Sequence, residues 1–381
     1  MKVLMAADFP RSLSDVRGGT WAAALNLTEA LIEHTDASIV TVSFRRDLKA
    51  PERIVRHGGR LDVRQYPLGR YGGVTRHASQ RREFKRLLKE TNPDIVHAQG
   101  EGFYSSLAVH SGRPHVYTIH GIRLKELRME RPQLGYLRYT LRKREIEEHH
   151  RLAKHIITIN EYTKKAIEGL HNARVWEIPN AVRQDLIDLG ATRVVNTVGS
   201  RVLMVGGVRP RKDIITALRT VEALRERGMP IKLDVVGPNA DKDYVGSVER
   251  FIQENELAEH VTIHGLVDDD ELKRRYAEAD VFLLTSIEES SPICLVEAMA
   301  AGLPIVATDV GGIAEMLADN AVLCRSGDVD GIVDALASVL SSADARARMS
   351  SVSSEIARSK WSAKAVALAT YSAYQEIART F

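Results

Sequence analysis

Cysteine is nearly absent from this chain: Cys294 and Cys324 are the only two in 381 residues. So few thiols exclude a disulfide framework and fit a reducing compartment, so a cytoplasmic protein is expected. Aromatic residues are also sparse, and the basic residues are not interleaved with them on any one element. That argues against a nucleic-acid partner. Long apolar runs are missing as well. The richest window, residues 293–307, contains Glu297 and Pro304 and falls short of the roughly 18 unbroken apolar residues of a membrane span. The opening MKVLMAA is cut short by Asp8 and Pro10, before a signal peptide could complete its apolar core. No repeat links the two halves, and no low-complexity tract occurs.

What is present is the composition of a globular protein, 44% hydrophobic and 27% charged, enough apolar material to exclude wholesale disorder. The length suits two domains of ordinary size. Charge is divided unevenly. Lys and Arg outnumber Asp and Glu by 31 to 20 in residues 1–180 and are outnumbered 30 to 22 in residues 181–381. A basic half attracts phosphorylated substrates or anionic lipid, so peripheral contact of the N-terminal half with an anionic membrane, at its inner face, is an expectation. Scattered surface arginines are the plainer account of the same numbers.

The order of elements reads as repeated strand and helix. MKVLMAA and ASIVTVSF are short buried strands flanking a helix at 22–34, followed by a basic helix at 83–91 and the strands PDIVHAQG and HVYTIHG. A polar helix at 136–153, the strand HIITIN and the helix EYTKKAI complete the first half. Residues 183–199 lack periodicity and are the expected linker. Near-continuous apolar strands then return in RVLMVGG, IKLDVVG, VTIHGL, DVFLLTS and PIVATD, as expected where helices cover both faces of a parallel sheet. The helices expected between them are 214–227, 244–255, 270–279 and 295–301. The reading is α/β: an N-terminal Rossmann-like domain over 1–182, a C-terminal one over 200–361, and a terminal helix, 362–381, packing back on the first domain. Ligands are expected at the carboxyl ends of the strands.

Residues 289–315 read E-S-S-P-I-C-L-V-E-A-M-A-A-G-L-P-I-V-A-T-D-V-G-G-I-A-E. Two carboxylates, Glu289 and Glu297, bracket an apolar helix entrance. Ser291, Pro292 and Ile293 open that helix, whose unpaired N–H groups and positive dipole end suit an anion. Glu297, inside the helix, is placed to accept from the vicinal hydroxyls of a ribose, and Glu289 from the hydroxyls of a sugar. Both acids could instead merely favour the helix N-terminus, but that leaves Glu297 in its apolar setting unexplained. Cys294, within I-C-L-V, reads as a small core residue. Gly18 and Gly19 join the first strand to the first helix, where missing side chains let backbone N–H groups approach a phosphate; a simple turn explains them equally. Arg211 and Lys212 follow the strand RVLMVGG, where cations would act as a diphosphate leaving group gains charge. His120 ends the strand HVYTIHG, and Asn180 in I-P-N-A-V reads as a turn former.

Taken in order, R-G-G-T, T-I-H-G, I-P-N-A-V, V-G-G-V-R-P-R-K-D, E-x7-E-A-M-A-x-G-x-P, G-G-x-x-E and a Trp-led terminal helix resemble retaining, nucleotide-sugar-dependent glycosyltransferases of the GT-B fold, specifically family 4. The likeness extends over nearly the whole chain. It implies two Rossmann-like doubly wound domains facing a central cleft, the N-terminal one (1–182) acceptor-binding and the C-terminal one (200–361) binding the nucleotide-sugar donor. It also implies that Gly19 lies against the donor diphosphate or the acceptor, that His120 hydrogen-bonds a sugar hydroxyl near the reacting centre, and that backbone groups near Val267 read the nucleobase. The family often carries Arg directly after the strand glycine, here Gly206, and Lys five residues later. This chain keeps Lys212 but has Gly207 at the Arg position, so Arg209 or Arg211 is expected to supply the cation.

Two patterns resemble metal motifs. Asp268, Asp269 and Asp270 precede the helix ELKRRYAEA and are expected to cap it. In E-E-H-H-R-L-A-K-H, His150 and His155 do not share a helical face, and the stretch reads as solvated. No cofactor or metal is therefore expected, only a nucleoside-diphosphate sugar as co-substrate, taken as a UDP-sugar. The expected reaction is retaining hexosyl transfer to a hydroxyl acceptor in cell-envelope or polysaccharide biosynthesis, with the departing phosphate taking the acceptor's proton. No second carboxylate is evidently placed as a covalent nucleophile. A same-fold epimerase or hydrolase, and a non-catalytic nucleotide-sugar-binding subunit, are the alternatives.

Overall fold

A computed structural model describes all residues except 13–14, 17 and 69–76, with the backbone alone for 129–134 and 137. The chain divides into two compact units, one comprising Met1–Val16, Thr20–Ala181 and Ala363–Phe381, the other Arg17–Gly19 and Val182–Ser362.

The first unit holds β1 (Lys2–Ala6), β2 (Ser38–Arg45), β3 (Glu52–Arg56), β4 (Leu61–Pro67), β5 (Ile95–Gln99), β6 (His115–Ile119), β7 (His155–Thr158) and β8 (Arg174–Glu177). They form one sheet in the order β3-β4-β2-β1-β5-β6-β7-β8, parallel except for β3, which runs antiparallel to β4. Around it lie α1 (Gly19–His34), α2 (Ala78–Thr91), α3 (Phe103–Val109), α4 (Arg123–Leu134), α5 (Tyr136–Leu152) and α6 (Glu161–Ala166). The core shows why the strands carry apolar residues without alternation. Val3 and Met5 of β1 enter the cluster that contains Leu31 of α1. Leu4 and Ala6 point the other way, toward Phe84 and Leu87 of α2. Both faces are covered, so both must be apolar.

The second unit contains α7 (Gln184–Ala191), β9 (Arg201–Val205), α8 (Ile214–Glu226), β10 (Lys232–Val236), α9 (Lys242–Glu254), β11 (Val261–Gly265), α10 (Asp269–Glu278), β12 (Val281–Leu284), α11 (Ile293–Ala300), β13 (Ile305–Thr308), α12 (Ile313–Met316), β14 (Ala321–Cys324), α13 (Val329–Ser341) and α14 (Ala343–Lys360). Its strands run in the order β11-β10-β9-β12-β13-β14, with every pairing parallel. Val202 and Met204 face one apolar cluster and Leu203 the other. The strand order reverses beside β9, so the loops after β9 and β12 leave the sheet in opposite directions and open a crevice at their carboxyl ends. The last helix, α15 (Ala363–Thr380), belongs to the first unit, burying Val366, Tyr374 and Ile377 in its core.

Two expectations need correction. Residues 183–199 are not a free linker: α7 buries Leu186 and Ile187 in the second unit's core. The helix is so close to α11 that a Cβ on Gly190 would stand 2.0 Å from the Ala300 carbonyl oxygen. Eight residues are too few to show helical periodicity. The stretch ending α5 is only partly solvated. His149 and His150 are buried, and His150 Nε2 lies 2.6 Å from a Glu101 carboxylate oxygen and its Nδ1 2.9 Å from the Tyr117 hydroxyl. Glu148, Arg151, Leu152 and Lys154 remain exposed. Cys294, half-buried, packs against the second unit's core as expected of a small apolar residue.

Candidate functional site

In the second unit, the expected residues converge on the carboxyl ends of β9 and β12. Val205 ends β9, and a tight turn over Pro210–Lys212 follows. That turn is fastened to the end of β12 from two sides. Thr285 Oγ1 donates to the Lys212 and Asp213 carbonyls at 3.1 and 2.9 Å, and the Ile287 N–H donates to the Arg211 carbonyl at 2.9 Å. The Lys212 stem lies over Gly206, where a Cβ would approach its Cε to 2.8 Å. Its ammonium is thereby delivered to Glu289, with Nζ 2.7 Å from Oε1. Ser286 Oγ donates to the same oxygen at 2.9 Å, and Arg211 approaches the other at 3.9 Å.

Both members of this pair are buried. Burial pushes Glu289 up, but the charges of Lys212 and Arg211 and the hydrogen bonds outweigh it and hold the carboxyl below its ordinary range. Burial pushes Lys212 down, and Glu289 more than restores it. The result is a buried, ionised pair at a sheet edge. Glu289 is also gripped through its backbone. Its carbonyl accepts from the Gly312 N–H at 2.9 Å, and Gly311, at φ +60°, comes so close that a Cβ would stand 1.8 Å from the same oxygen. The glycine pair therefore positions Glu289, whereas Glu315 is exposed.

Glu297 sits one helical stretch further on, in α11, and is 8% exposed. Tyr276 of α10, fully buried, donates to its Oε2 at 2.9 Å and reaches the Cys294 carbonyl at 3.3 Å. Burial raises the Glu297 carboxyl to about 7, against the lowering influence of Tyr276 and Arg183. Tyr276 was not among the expected residues; the only clue in the sequence was an aromatic in the otherwise polar helix ELKRRYAEA. Between the two acids, Ser291 is half-exposed while Pro292 and Ile293 are buried. Pro292 precedes the first turn of α11 without a side-chain cap, which leaves the first N–H groups of the helix uncapped by its own flank.

Arg209 precedes the tight turn, and its guanidinium occupies the space beside Gly207: a Cβ there would lie 3.2 Å from Nη2. Val267 lies in the loop after β11, packed against the core beneath α11. The acidic triplet acts as expected from its position. Asp268 accepts from the Glu271 N–H at 2.9 Å as the cap of α10, and Asp269 pairs with Arg183. Among the described residues, no group of three or more His, Cys, Asp or Glu side chains is arranged to hold a metal ion.

Gly19 opens α1, with Gly18 just before it; Arg17 of R-G-G-T is outside the described residues. His120, in the first unit, follows β6 and sets Nε2 2.6 Å from Gln99 Oε1. Burial pushes its imidazole down to about 4, with Asn180 offsetting part of the effect. Asn180 is buried beside it, so it is more than a turn former.

Two doubly wound parallel-sheet units, one with a buried cation–carboxylate pair at its strand reversal, define a glycosyltransferase of the GT-B type. Comparison agrees. Residues 195–355 match the model of glycosyl transferases group 1, and residues 17–186 that of glycosyltransferase family 4. A phosphatidyl-myo-inositol mannosyltransferase of Mycobacterium leprae is 29% identical over 362 residues, covering 91% of each chain. Sucrose-phosphate synthase of Thermosynechococcus elongatus superposes with a TM-score of 0.82 at 16% identity over 100% of both chains. Anabaena HepE in complex with UDP and glucose superposes at 0.72 and 18% identity, over 100% of this chain and 99% of that one. The chain belongs to glycosyltransferase family 4, and the enzyme is a hexosyltransferase-type glycosyltransferase.

Proposed function

We propose that the protein moves a hexose from a nucleoside-diphosphate sugar to a hydroxyl acceptor with retention at the anomeric carbon. The observation that carries this reading is the buried Lys212–Glu289 pair, set beside the opening of α11 and within one short helix of buried Glu297. Lys212, with Arg209 and Arg211, meets the donor diphosphate together with the N–H groups opening α11 near Ser291, Pro292 and Ile293. Gly18 and Gly19 leave room for backbone approach to the phosphates, Gly206 makes room for the Lys212 stem that reaches them, and Val267 lies by the base. Glu297 accepts from the ribose hydroxyls, Glu289 from the sugar, and His120 from a sugar hydroxyl near the reacting carbon.

As the bond from the anomeric carbon to the phosphate oxygen breaks, charge develops on the diphosphate, where the cations act. The acceptor oxygen bonds to the same face of that carbon, and the departing phosphate takes its proton. Lys, Arg and backbone dipoles are proposed to meet the diphosphate charge without a bound metal.

For the donor, the bound UDP and glucose of the Anabaena relative support a nucleotide sugar, and the mycobacterial relative's name favours mannose. For the acceptor, that same name and the excess of basic residues in the first half favour a phosphorylated or lipid-linked hydroxyl compound of the cell envelope, met at an anionic membrane surface. Among the described residues no helix is long and apolar enough to cross a membrane, so peripheral contact is the proposed mode.

Purified protein incubated with UDP-, GDP- and ADP-hexoses and vesicles containing phosphatidylinositol should release nucleotide and form a glycolipid of unchanged anomeric configuration. An inverted product would refute retention. Donor consumption without acceptor would indicate a hydrolase or epimerase, and no consumption of any donor would leave only a binding role.

A further inference from the structure

Four side chains form a hydrogen-bonded chain through the interior of the first unit, from its terminal helix to His120. Tyr374 of α15 sets its hydroxyl 2.5 Å from Nδ1 of His97 on β5. Gln99, two residues along the strand, places Nε2 3.1 Å from His97 Nε2 and Oε1 2.6 Å from His120 Nε2. Thr118 Oγ1 also reaches His97 Nε2, at 2.7 Å. Tyr374 and His97 are fully buried, and Gln99 is 5% exposed. Fully connected polar networks of this kind are rigid, because each lost bond strands a buried polar group.

The donors and acceptors can be assigned in order. A carboxamide nitrogen only donates and its oxygen only accepts. Gln99 Nε2 lies over the His97 ring, 3.1 Å from Nε2 and 3.4 Å from Nδ1, while the Thr118 and Tyr374 hydroxyls take the two ring nitrogens. Gln99 Oε1 in turn accepts from His120 Nε2–H. This leaves His120 Nδ1 as the ring's acceptor; the atom is buried, with Asn180 beside the ring. Burial holds His97 to about 3 and His120 to about 4, so both rings are uncharged at neutral pH and one proton per ring suffices.

We propose that Tyr374, His97 and Gln99 are positioning residues that lock His120 as the neutral Nε2–H tautomer, with its Nδ1 lone pair kept as an acceptor. A histidine so held receives a hydroxyl hydrogen bond and orients the group that makes it; it does not deliver a proton through the free nitrogen. The terminal helix thereby acts on the candidate site through its hydroxyl. That His120 serves the transferred sugar rests on the reading under Proposed function; the locked tautomer does not.

The test uses the full-length protein labelled with 15N at histidine. At neutral pH, His120 is expected to show a protonated Nε2 and a pyridine-like Nδ1. Gln99→Met and Tyr374→Phe should mix the two tautomers and lower kcat about tenfold, the worth of one buried hydrogen bond, with the donor KM unchanged. Should Gln99→Met fail to fold, the near-isosteric Tyr374→Phe and the wild-type spectrum still decide. A protonated Nδ1, an imidazolium at neutral pH, or a His120 spectrum unmoved by both substitutions overturns the proposal. Full transfer by His120→Ala, with the wild-type tautomer as expected, would leave the lock standing and remove His120 from the sugar.

Discussion

Glu289 and Glu297 stand eight positions apart in sequence and meet opposite electrostatic fates. Glu289 is ionised against Lys212, while Glu297 is raised to about 7 by burial. A carboxyl whose folded value exceeds its unfolded one contributes stability that is complete at low pH and is lost as pH rises toward the folded value. Glu297→Gln should therefore stabilise the protein at pH 8 by up to about 3 kcal/mol and leave it unchanged at pH 4, as thermal melts would read. The same variant should lose donor affinity and its pH dependence, whereas wild-type affinity should weaken below about pH 7 as the acceptor carboxylate is protonated. Lys212→Ala should lower stability by about 3–5 kcal/mol, because Glu289 is left buried without its cation, and should lose most turnover. Adding Glu289→Gln should recover part of the stability and none of the rate, a coupling that a double-mutant cycle measures. Glu297 was legible in the sequence because a charged residue in an apolar run has few other reasons to be there, and Glu289 and Lys212 because they follow apolar strands. Tyr276 was not, since a lone tyrosine in a helix reads equally as core.

At the scale of the element, the geometry depends on loops tied to one another. The Pro210–Lys212 turn is held to the end of β12 by Thr285 and Ile287, and Glu289 is held to the β13–α12 loop by Gly311 and Gly312. Gly311→Ala should therefore displace Glu289: the added methyl meets its carbonyl oxygen, and φ +60° strains any side chain. Turnover is expected to fall about 100-fold, the cost of misplacing a reacting group by roughly 1 Å, with circular dichroism unchanged; a rate within twofold of wild type would contradict the assigned role. G-G-x-x-E was visible in the sequence; in the structure its glycines grip Glu289, and its glutamate, Glu315, is exposed. The α7 segment shows the opposite failure. It looked like a linker because eight residues give no periodicity, and only the close approach of Gly190 to α11 shows that it is packed.

For the whole molecule, burial is uneven in kind as well as amount. The first unit holds His97, His115, His120 and His149 below their ordinary value, chiefly by burial. Such histidines stay neutral when folded but take up protons once unfolded, so stability is full above about pH 6.5 and falls as pH drops below it. Hydrogen exchange at pH 5 should show β5 and β6 losing protection before the strands of the second unit; the reverse order would contradict the assignment. The sequence alone determined the two α/β units, the strand runs, the charge division and the family. Periodicity, apolar continuity and ordered motifs are local properties written directly into the chain. Tertiary structure decided which polar residues face inward: the network at the end of α5, the Tyr276 contact to Glu297, and the path from Tyr374 to His120. Those pairings join residues up to 277 positions apart, and no local pattern encodes a partner at that distance.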